Sequence, residues 1–300
     1  MIDDAAIAEA LPAGVVSIER ELYDYATSFS LERLHVELDD GRTLDLVLKD
    51  LSWDRLLRVA KQSKPDFLYD PSREIETYRR LLPLFDAAPT YYGGGDDWLL
   101  IEKVEGIELW QVGDVAVWES TAAWVARFHQ RSMGIDVDAL NPHLLHYDAD
   151  LFARWPTRAL MVVRDPRLQQ LVARYDDVID RLVLLPTTFI HGEMYPSNVM
   201  ISATPRLVDW EMAAVGPPLL DVAALTSGWD HETRVRLVDA YVQAAGALPW
   251  ITPDFDEMMD CCRLHLAMQW LGWSPGWSPP AEHARDWLAE AFETGARLGL

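Results

Sequence analysis

At 300 residues the chain is long enough to build a full hydrophobic core, as one large domain or two modest ones. Half of its residues are hydrophobic and a quarter are charged, which is a globular composition. The formal net charge of −22, from 48 acids against 26 bases, excludes a nucleic-acid or anionic-lipid surface, because both require clustered Lys and Arg.

The same charge would draw in a cationic small molecule; equally, the acids serve only to keep the chain in solution. No apolar run approaches the roughly 18 residues that cross a bilayer. The opening Met-Ile-Asp-Asp carries acids where a signal peptide carries bases, so the expected location is cytoplasmic. The two cysteines, Cys261 and Cys262, are neighbours inside a helical pattern. They build neither a disulfide framework nor a zinc site and read as reduced, structural thiols.

Residues 3 to 11 read as a short helix ended by Pro12. The apolar spacing then takes the period of strands, from Val16 to Glu19, from Leu31 to Leu38 and from Thr43 to Leu51, with Asp40-Gly41 as a hairpin signal. In the last of these, Leu44, Leu46 and Leu48 share one face, and Asp45, Val47 and Lys49 the other. Asp70-Pro71 marks the N-cap and first turn of a helix through Leu82, buried along Ile75, Tyr78 and Leu82. Glu74 lies on a neighbouring face that looks back at the sheet toward Lys49, or it serves only the helix dipole. Trp98 to Val104 is a further strand, with Gly106 after it.

Beyond Gly106 the spacing is helical, first along Trp118, Ala122, Val125 and His129, then along Leu168, Leu171, Tyr175, Val178 and Leu182. His129 ends its stripe as a packed or capping histidine. Residues 135 to 156 lack a regular pattern and read as a loop near the substrate. Further helices are expected at about 217 to 228, 231 to 245, 254 to 272 and 280 to 297. The repeated Trp273-Ser-Pro-Gly-Trp277-Ser-Pro-Pro either walls a ligand pocket with two tryptophans or is a turn that packs two helices.

The most informative stretch runs from Phe189 to Asp221. Phe189-Ile190 feeds a polar loop with His191, Glu193 and Asn198, and two small strands, Val199 to Ile201 and Arg206 to Val208, then deliver Asp209-Trp210-Glu211. The expected result is a carboxylate, a carboxamide and a second carboxylate at the rim of one sheet, with oxygens converging on a divalent cation and a reacting hydroxyl. Oxygen-only ligation suits magnesium.

Taken together, Lys49 on a strand, Glu74 on the next helix, His191-Gly-Glu-x4-Asn198 and Asp209-Trp-Glu resemble the working parts of the kinase fold, and most closely the aminoglycoside phosphotransferase and choline kinase group. The likeness covers about residues 15 to 275. It implies an α+β, bilobal, protein-kinase-like fold, with a small antiparallel-sheet lobe carrying one main helix (1–101), a hinge (102–107) and a larger, mostly helical lobe (108–300). It also implies ATP and Mg2+ as cofactors. Lys49 would hold the α- and β-phosphates with Glu74 as its ion-pair partner, Val47 would cover the adenine, and Glu102 to Val104 would offer backbone groups to the adenine edge. Glu193 would be the base, Asn198 and Asp209 the metal ligands, His191 a loop-ordering residue and Asp221 a structural brace.

Two features depart from the group. Glu193 stands where aspartate is usual and reaches one carbon–carbon bond, about 1.5 Å, further. Tyr25 to Ser30 replace the glycine-rich phosphate cover, with the hydroxyls of Thr27 and Ser28 standing in for backbone donors. No long activation segment follows Asp209, so the expected acceptor is a small molecule rather than a peptide; the acidic balance favours a cationic or amino-bearing alcohol, with a neutral sugar or nucleoside as the alternative. A nucleotide-binding sensor or scaffold, or a nucleotidyl transferase, is the competing reading. The joint presence of Lys49, Glu74, Asn198 and Asp209 opposes the sensor.

Overall fold

The structure, a computed structural model, describes residues 2–23, 28–273 and 283–300. Backbone contacts divide the chain into two compact units. The first comprises Met1–Gly106, Asp138–His143 and Met200–Glu211, and the second Ile107–Val137, Leu144–Val199 and Met212–Leu300.

The first unit is built on helix α1 (Asp4–Ala10) and a five-stranded sheet of β1 (Val15–Leu22), β2 (Leu31–Leu38), β3 (Thr43–Asp50), β4 (Tyr91–Gly94) and β5 (Trp98–Glu102). The order is β1-β2-β3-β5-β4, antiparallel at every pairing. Asp40-Gly41 makes the hairpin between β2 and β3, with Gly41 at φ 84°, a region open to glycine at no steric cost. The turn fixes the register Leu34↔Leu46 and Val36↔Leu44. Leu34, Val36, Leu46, Leu48 and Leu100 then bury one sheet face under Ile7 of α1. Each such side chain contributes about 1.5–3 kcal/mol of transfer free energy. The opposite face of β3 is the one that carries Lys49.

Helices α2 (Arg58–Ser63) and α3 (Pro71–Glu76) follow β3. Asp70 caps α3 by accepting the Ser72 backbone N–H at 3.0 Å, with Pro71 in the first turn. The regular helix expected through Leu82 stops earlier, widening into a π turn over Thr77–Leu81 and tightening into a 3-10 turn over Leu82–Leu84. Asn141 packs at the place of the change. Its buried carboxamide donates to the Arg73 carbonyl at 3.0 Å, which also accepts the Thr77 N–H, and to the Thr77 hydroxyl at 2.9 Å.

The remaining helices are α4 (Val115–Ser132), α5 (Val137–Leu140), α6 (Ala149–Val162), α7 (Pro166–Val172), α8 (Asp176–Leu182), α9 (Leu219–Leu225), α10 (His231–Ala245), α11 (Phe255–Gly272) and α12 (Trp287–Arg297). Among them run short strands, β6 (Ile107–Glu108), β7 (Leu145–His146), β8 (Thr188–Ile190), β9 (Val199–Ile201), β10 (Pro205–Leu207) and β11 (Ala214–Gly216). Many of the abundant acids are N-caps: Asp114, Asp148, Asp165, Asp230 and Asp286 each accept a backbone N–H of the helix they start. Helix α11 is buried on nearly all sides, through Met258, Met259, Leu264, Leu266 and Met268, and is the centre of the second unit. Cys261 and Cys262 lie within it, free and buried, and burial pushes both thiols up.

Two expectations are corrected here. Residues 135–156 are not an irregular loop: they contain α5, β7 and the first half of α6, with Pro156 inside the helix. Burial of Leu151, Phe152, Trp155 and Ala159 on one stripe outweighs the lost N–H of Pro156. Nor do the strands around the polar loop share one sheet. Strand β8 pairs with β11, whereas β9 and β10 pair with each other. The reason is burial: all three residues of β8 are covered, and β11, the strand after Asp209-Trp-Glu, supplies its hydrogen bonds. Among the described residues no helix is long and apolar enough to cross a membrane.

Candidate active site

In the first unit, β3 carries Lys49 and α3 carries Glu74 to one buried spot. The Lys49 ammonium lies 3.0 Å and 2.8 Å from the two Glu74 oxygens and also contacts the Asp209 carboxylate. Desolvation opposes the charge on Lys49, but the carboxylates of Asp209 and Glu74 outweigh it, so its ammonium is held well above the usual lysine range. Glu74, with a side chain 2% exposed, is pushed up to about 7 by burial, against the pull of Lys49. Asp209 is different: a third of its side chain stays open, at 32%. It is also the one non-glycine with positive φ (64°) among the described residues. Aspartate tolerates this left-handed conformation at some cost, and the cost is spent on aiming the carboxylate at Lys49.

A second ion pair sits beside the first and was not evident in the sequence. Lys64, just past the end of α2, contacts Glu211, and both side chains are largely buried. The ring of Phe29 lies under both ammonium groups, 5.9 Å from Lys49 and 5.5 Å from Lys64. The guanidinium of Arg73 donates to the Glu211 carbonyl at 2.8 Å and to the Leu68 carbonyl at 2.9 Å. No periodicity links Lys64 to Glu211, which are 147 positions apart.

In the second unit, the loop after β8 is tied down by α9. Both oxygens of Asp221 are used, accepting the backbone N–H of His191 at 2.8 Å and of Gly192 at 2.9 Å. Gly192 has φ 81°, and a Cβ there would come within 2.2 Å of the Met212 carbonyl oxygen, so only glycine fits. His129 meets Asp221 Oδ2 at 3.2 Å and the Tyr241 hydroxyl at 3.0 Å, and Trp250 donates to that hydroxyl at 2.9 Å. The histidine expected as a packing residue is therefore the brace behind the brace. The Glu193 backbone N–H points to His191 Nδ1 at 3.3 Å, and Asn198 donates its amide to the Glu193 carbonyl at 2.9 Å. With its nitrogen so used, Asn198 keeps its carboxamide oxygen as the atom suited to a cation.

The other expected residues fall as follows. Val47 is half-buried on β3, opposite Arg33 and Ile101. Glu102 ends β5; its N–H goes to the Thr90 carbonyl at 2.8 Å, and its carboxylate accepts from the Thr90 N–H and hydroxyl, both at 3.0 Å. The Lys103 N–H is likewise taken, by the Asp45 carbonyl at 2.9 Å. Val104 follows outside the strand, half-buried. Ser28 turns its hydroxyl toward Glu211 at 3.5 Å. Thr27 and Trp277 lie outside the described residues; Trp273 stacks on Trp155 with centroids 5.7 Å apart. No cluster of three or more His, Cys, Asp or Glu able to hold a metal occurs among the described residues.

The sequence profile of the phosphotransferase enzyme family matches residues 28–261, more than three quarters of the chain and every residue just described up to Tyr241 and Trp250. The chain belongs to this phosphotransferase enzyme family. It is thus a phosphotransferase, of the kind that acts on small molecules. No curated protein matches it by sequence. Solved structures resemble the phosphotransferase in fold. A macrolide 2′-phosphotransferase from Brachybacterium faecium superposes with a TM-score of 0.60 at 18% identity, over 98% of this chain and 96% of that one. Choline kinase from Streptococcus pneumoniae gives 0.64 at 13% identity, over 95% and 94%. A GDP complex of aminoglycoside 2′-phosphotransferase-IIIa gives 0.58 at 16%, over 94% and 93%.

Proposed function

We propose that this phosphotransferase moves the γ-phosphate of ATP to a hydroxyl of a small, cationic or amino-bearing molecule, with Mg2+ as its metal. The observation that carries the reading is the buried Lys49 ammonium held between Glu74 and the half-open carboxylate of Asp209. A buried lysine fixed by a buried acid is a cation set in place before any ligand arrives, and phosphoryl transfer asks for positioning and charge more than for covalent chemistry.

The residues fit the metal. Magnesium on a nucleotide takes one or two protein oxygens, with phosphates and water filling the other positions, so no protein-only cage is required. Asp209, aimed by its positive φ, and Asn198, left with its oxygen, would be those ligands. Bound there, the metal would neutralise charge on the transferred phosphoryl group.

The chain's own groups do the rest. Lys49 would pair with the α- and β-phosphates, and Glu74 would keep its ammonium from swinging away. Because the amides of Glu102 and Lys103 are already used, the adenine edge would be read by the Glu102 carbonyl and the Val104 amide, with Val47 against the ring. Glu193, its backbone fixed by His191, would orient the acceptor hydroxyl and take its proton. The net charge of −22 favours acceptors with amino groups.

The test is product mass after incubation of amino sugars, aminoglycosides, amino alcohols and neutral sugars with magnesium and either ATP or GTP. Gain of one phosphate supports the reading. Gain of AMP, or no change with any acceptor, sinks it.

A further inference from the structure

Arg73, the residue of α3 just before Glu74, is buried at 4% exposure, and the reaction proposed above gives it no part. Its guanidinium is spread over backbone carbonyls of three separate segments: Nη1 donates to Leu68 at 2.9 Å and to Glu211 at 2.8 Å, and Nε donates to His143 at 3.0 Å. Out of water an unmet guanidinium donor is costly, so each of these carbonyls is held in place on one rigid, planar fork. The Arg73 backbone is held in turn. Its carbonyl accepts the Asn141 carboxamide at 3.0 Å, and the Asn141 oxygen accepts the His143 N–H at 3.0 Å.

We infer that Arg73 is a positioning residue for phosphoryl transfer: through the Glu211 carbonyl it keeps Asp209 aimed, an inference that rests on the reading of Lys49 and Asp209 given above. The geometry is a closed ring within the first unit. Arg73 is joined to Glu74 by the peptide bond, Glu74 meets the Lys49 ammonium at 2.8 Å, and Lys49 contacts the Asp209 carboxylate. Asp209 then runs through Trp210 to Glu211, whose carbonyl returns to Arg73. Asp209 needs such a hold because its φ of 64° is a conformation that aspartate keeps only when its surroundings oppose relaxation. In the structure two contacts supply it: Lys49 holds the carboxylate, and Arg73 holds the chain two residues on. Once Lys49 turns to phosphate and Asp209 to a metal, their mutual contact is given up. The Arg73 bond to Glu211 involves neither side chain and stays in place through that exchange. A lysine at position 73 would keep the charge, but one nitrogen on a flexible stem cannot serve carbonyls on three segments at once.

Hydrogen exchange read by mass spectrometry, on the whole protein without nucleotide or metal, tests the tie. In Arg73→Lys, peptides covering residues 207–212 should exchange about tenfold faster, while those covering β2 and β3 exchange as in the wild type. In turnover, kcat should fall about 10–100-fold, and the Mg2+ concentration for half-maximal rate should rise by about tenfold or more, a shift that loss of folded protein alone does not produce. Wild-type exchange at residues 207–212, or a wild-type kcat and Mg2+ dependence, overturns the inference. Asp209→Ala measured alongside separates the two readings. Turnover kept by Asp209→Ala removes the reading of Asp209 and this inference with it; turnover kept by Arg73→Lys while Asp209→Ala is inactive removes the inference alone. Should Arg73→Lys not fold, exchange of the wild type in low urea decides: residues 72–76 and 207–212 open together, with one urea dependence, if the ring ties them, and separate openings overturn it.

Discussion

Asp221 holds the polar loop at His191: its Oδ2 accepts the His191 backbone N–H at 2.8 Å, with neither residue exposed to solvent. One oxygen away, Oδ1 takes the next N–H, of Gly192, and His129 closes the set from behind. The position of Glu193 is thus decided 28 residues downstream, by a helix that carries no chemistry of its own.

Asp221→Ala should therefore act on stability and turnover together. Leaving the buried His191 N–H without an acceptor costs about 1–3 kcal/mol, and the half-buried Gly192 N–H adds less. The urea midpoint should fall, and kcat should drop at least tenfold with KM for the nucleotide little changed. A variant with normal kcat would show that the loop does not need this brace.

Lys49→Met should abolish most turnover, and its stability should depend on pH. Glu74 loses its counter-charge while 2% exposed, and an unpaired buried charge costs on the order of 3–5 kcal/mol. Burial already raises the Glu74 carboxyl from 4.5 to about 7, and losing Lys49 raises it further. A raised carboxyl contributes stability below its unfolded value and loses it as pH climbs through the folded one, so the variant should be much weaker at pH 8 than at pH 5. Lys49→Met combined with Glu74→Gln should regain the stability and none of the activity. Thermal melts of the three proteins at both pH values check this.

Glu193→Gln tests proton transfer and Asp209→Ala tests the metal. Asp209→Ala should reduce kcat by at least a thousandfold. Glu193→Gln should cost about 10²–10⁴ in kcat, and Glu193→Asp far less, since charge is kept and only reach changes. Near-normal turnover by Glu193→Gln on the true acceptor would remove it from the mechanism.

Acid should weaken the second unit through His265. Burial lowers its imidazole from 6.5 to about 3 among Phe152, Tyr147 and Tyr175. A depressed histidine contributes stability above its unfolded value and loses it as pH falls from 6.5 toward 3. At pH 4 the loss is about 3 kcal/mol. In His265→Gln this part of the acid limb should flatten when urea midpoints are compared from pH 7 to pH 4. An unchanged slope would show that other groups set it.

Much of this protein is written locally and can be read without coordinates. The β2–β3 hairpin follows from alternation and one Asp-Gly pair, the start of α3 from Asp70-Pro71, and the loop of His191, Glu193 and Asn198 from its own residue types, because each depends on neighbours a few positions away. The sequence alone also settled the family, since the family profile matches residues 28–261. Tertiary structure decided what distance along the chain conceals. Only folding brings Lys64 to Glu211, sets His129 behind Asp221, carries Asn141 to the Arg73 carbonyl and keeps α6 helical through Pro156. In each case a buried polar group or an apolar stripe finds its partner on another element. That partner is fixed by the free energy of leaving water, which carries no periodic mark in the residues themselves.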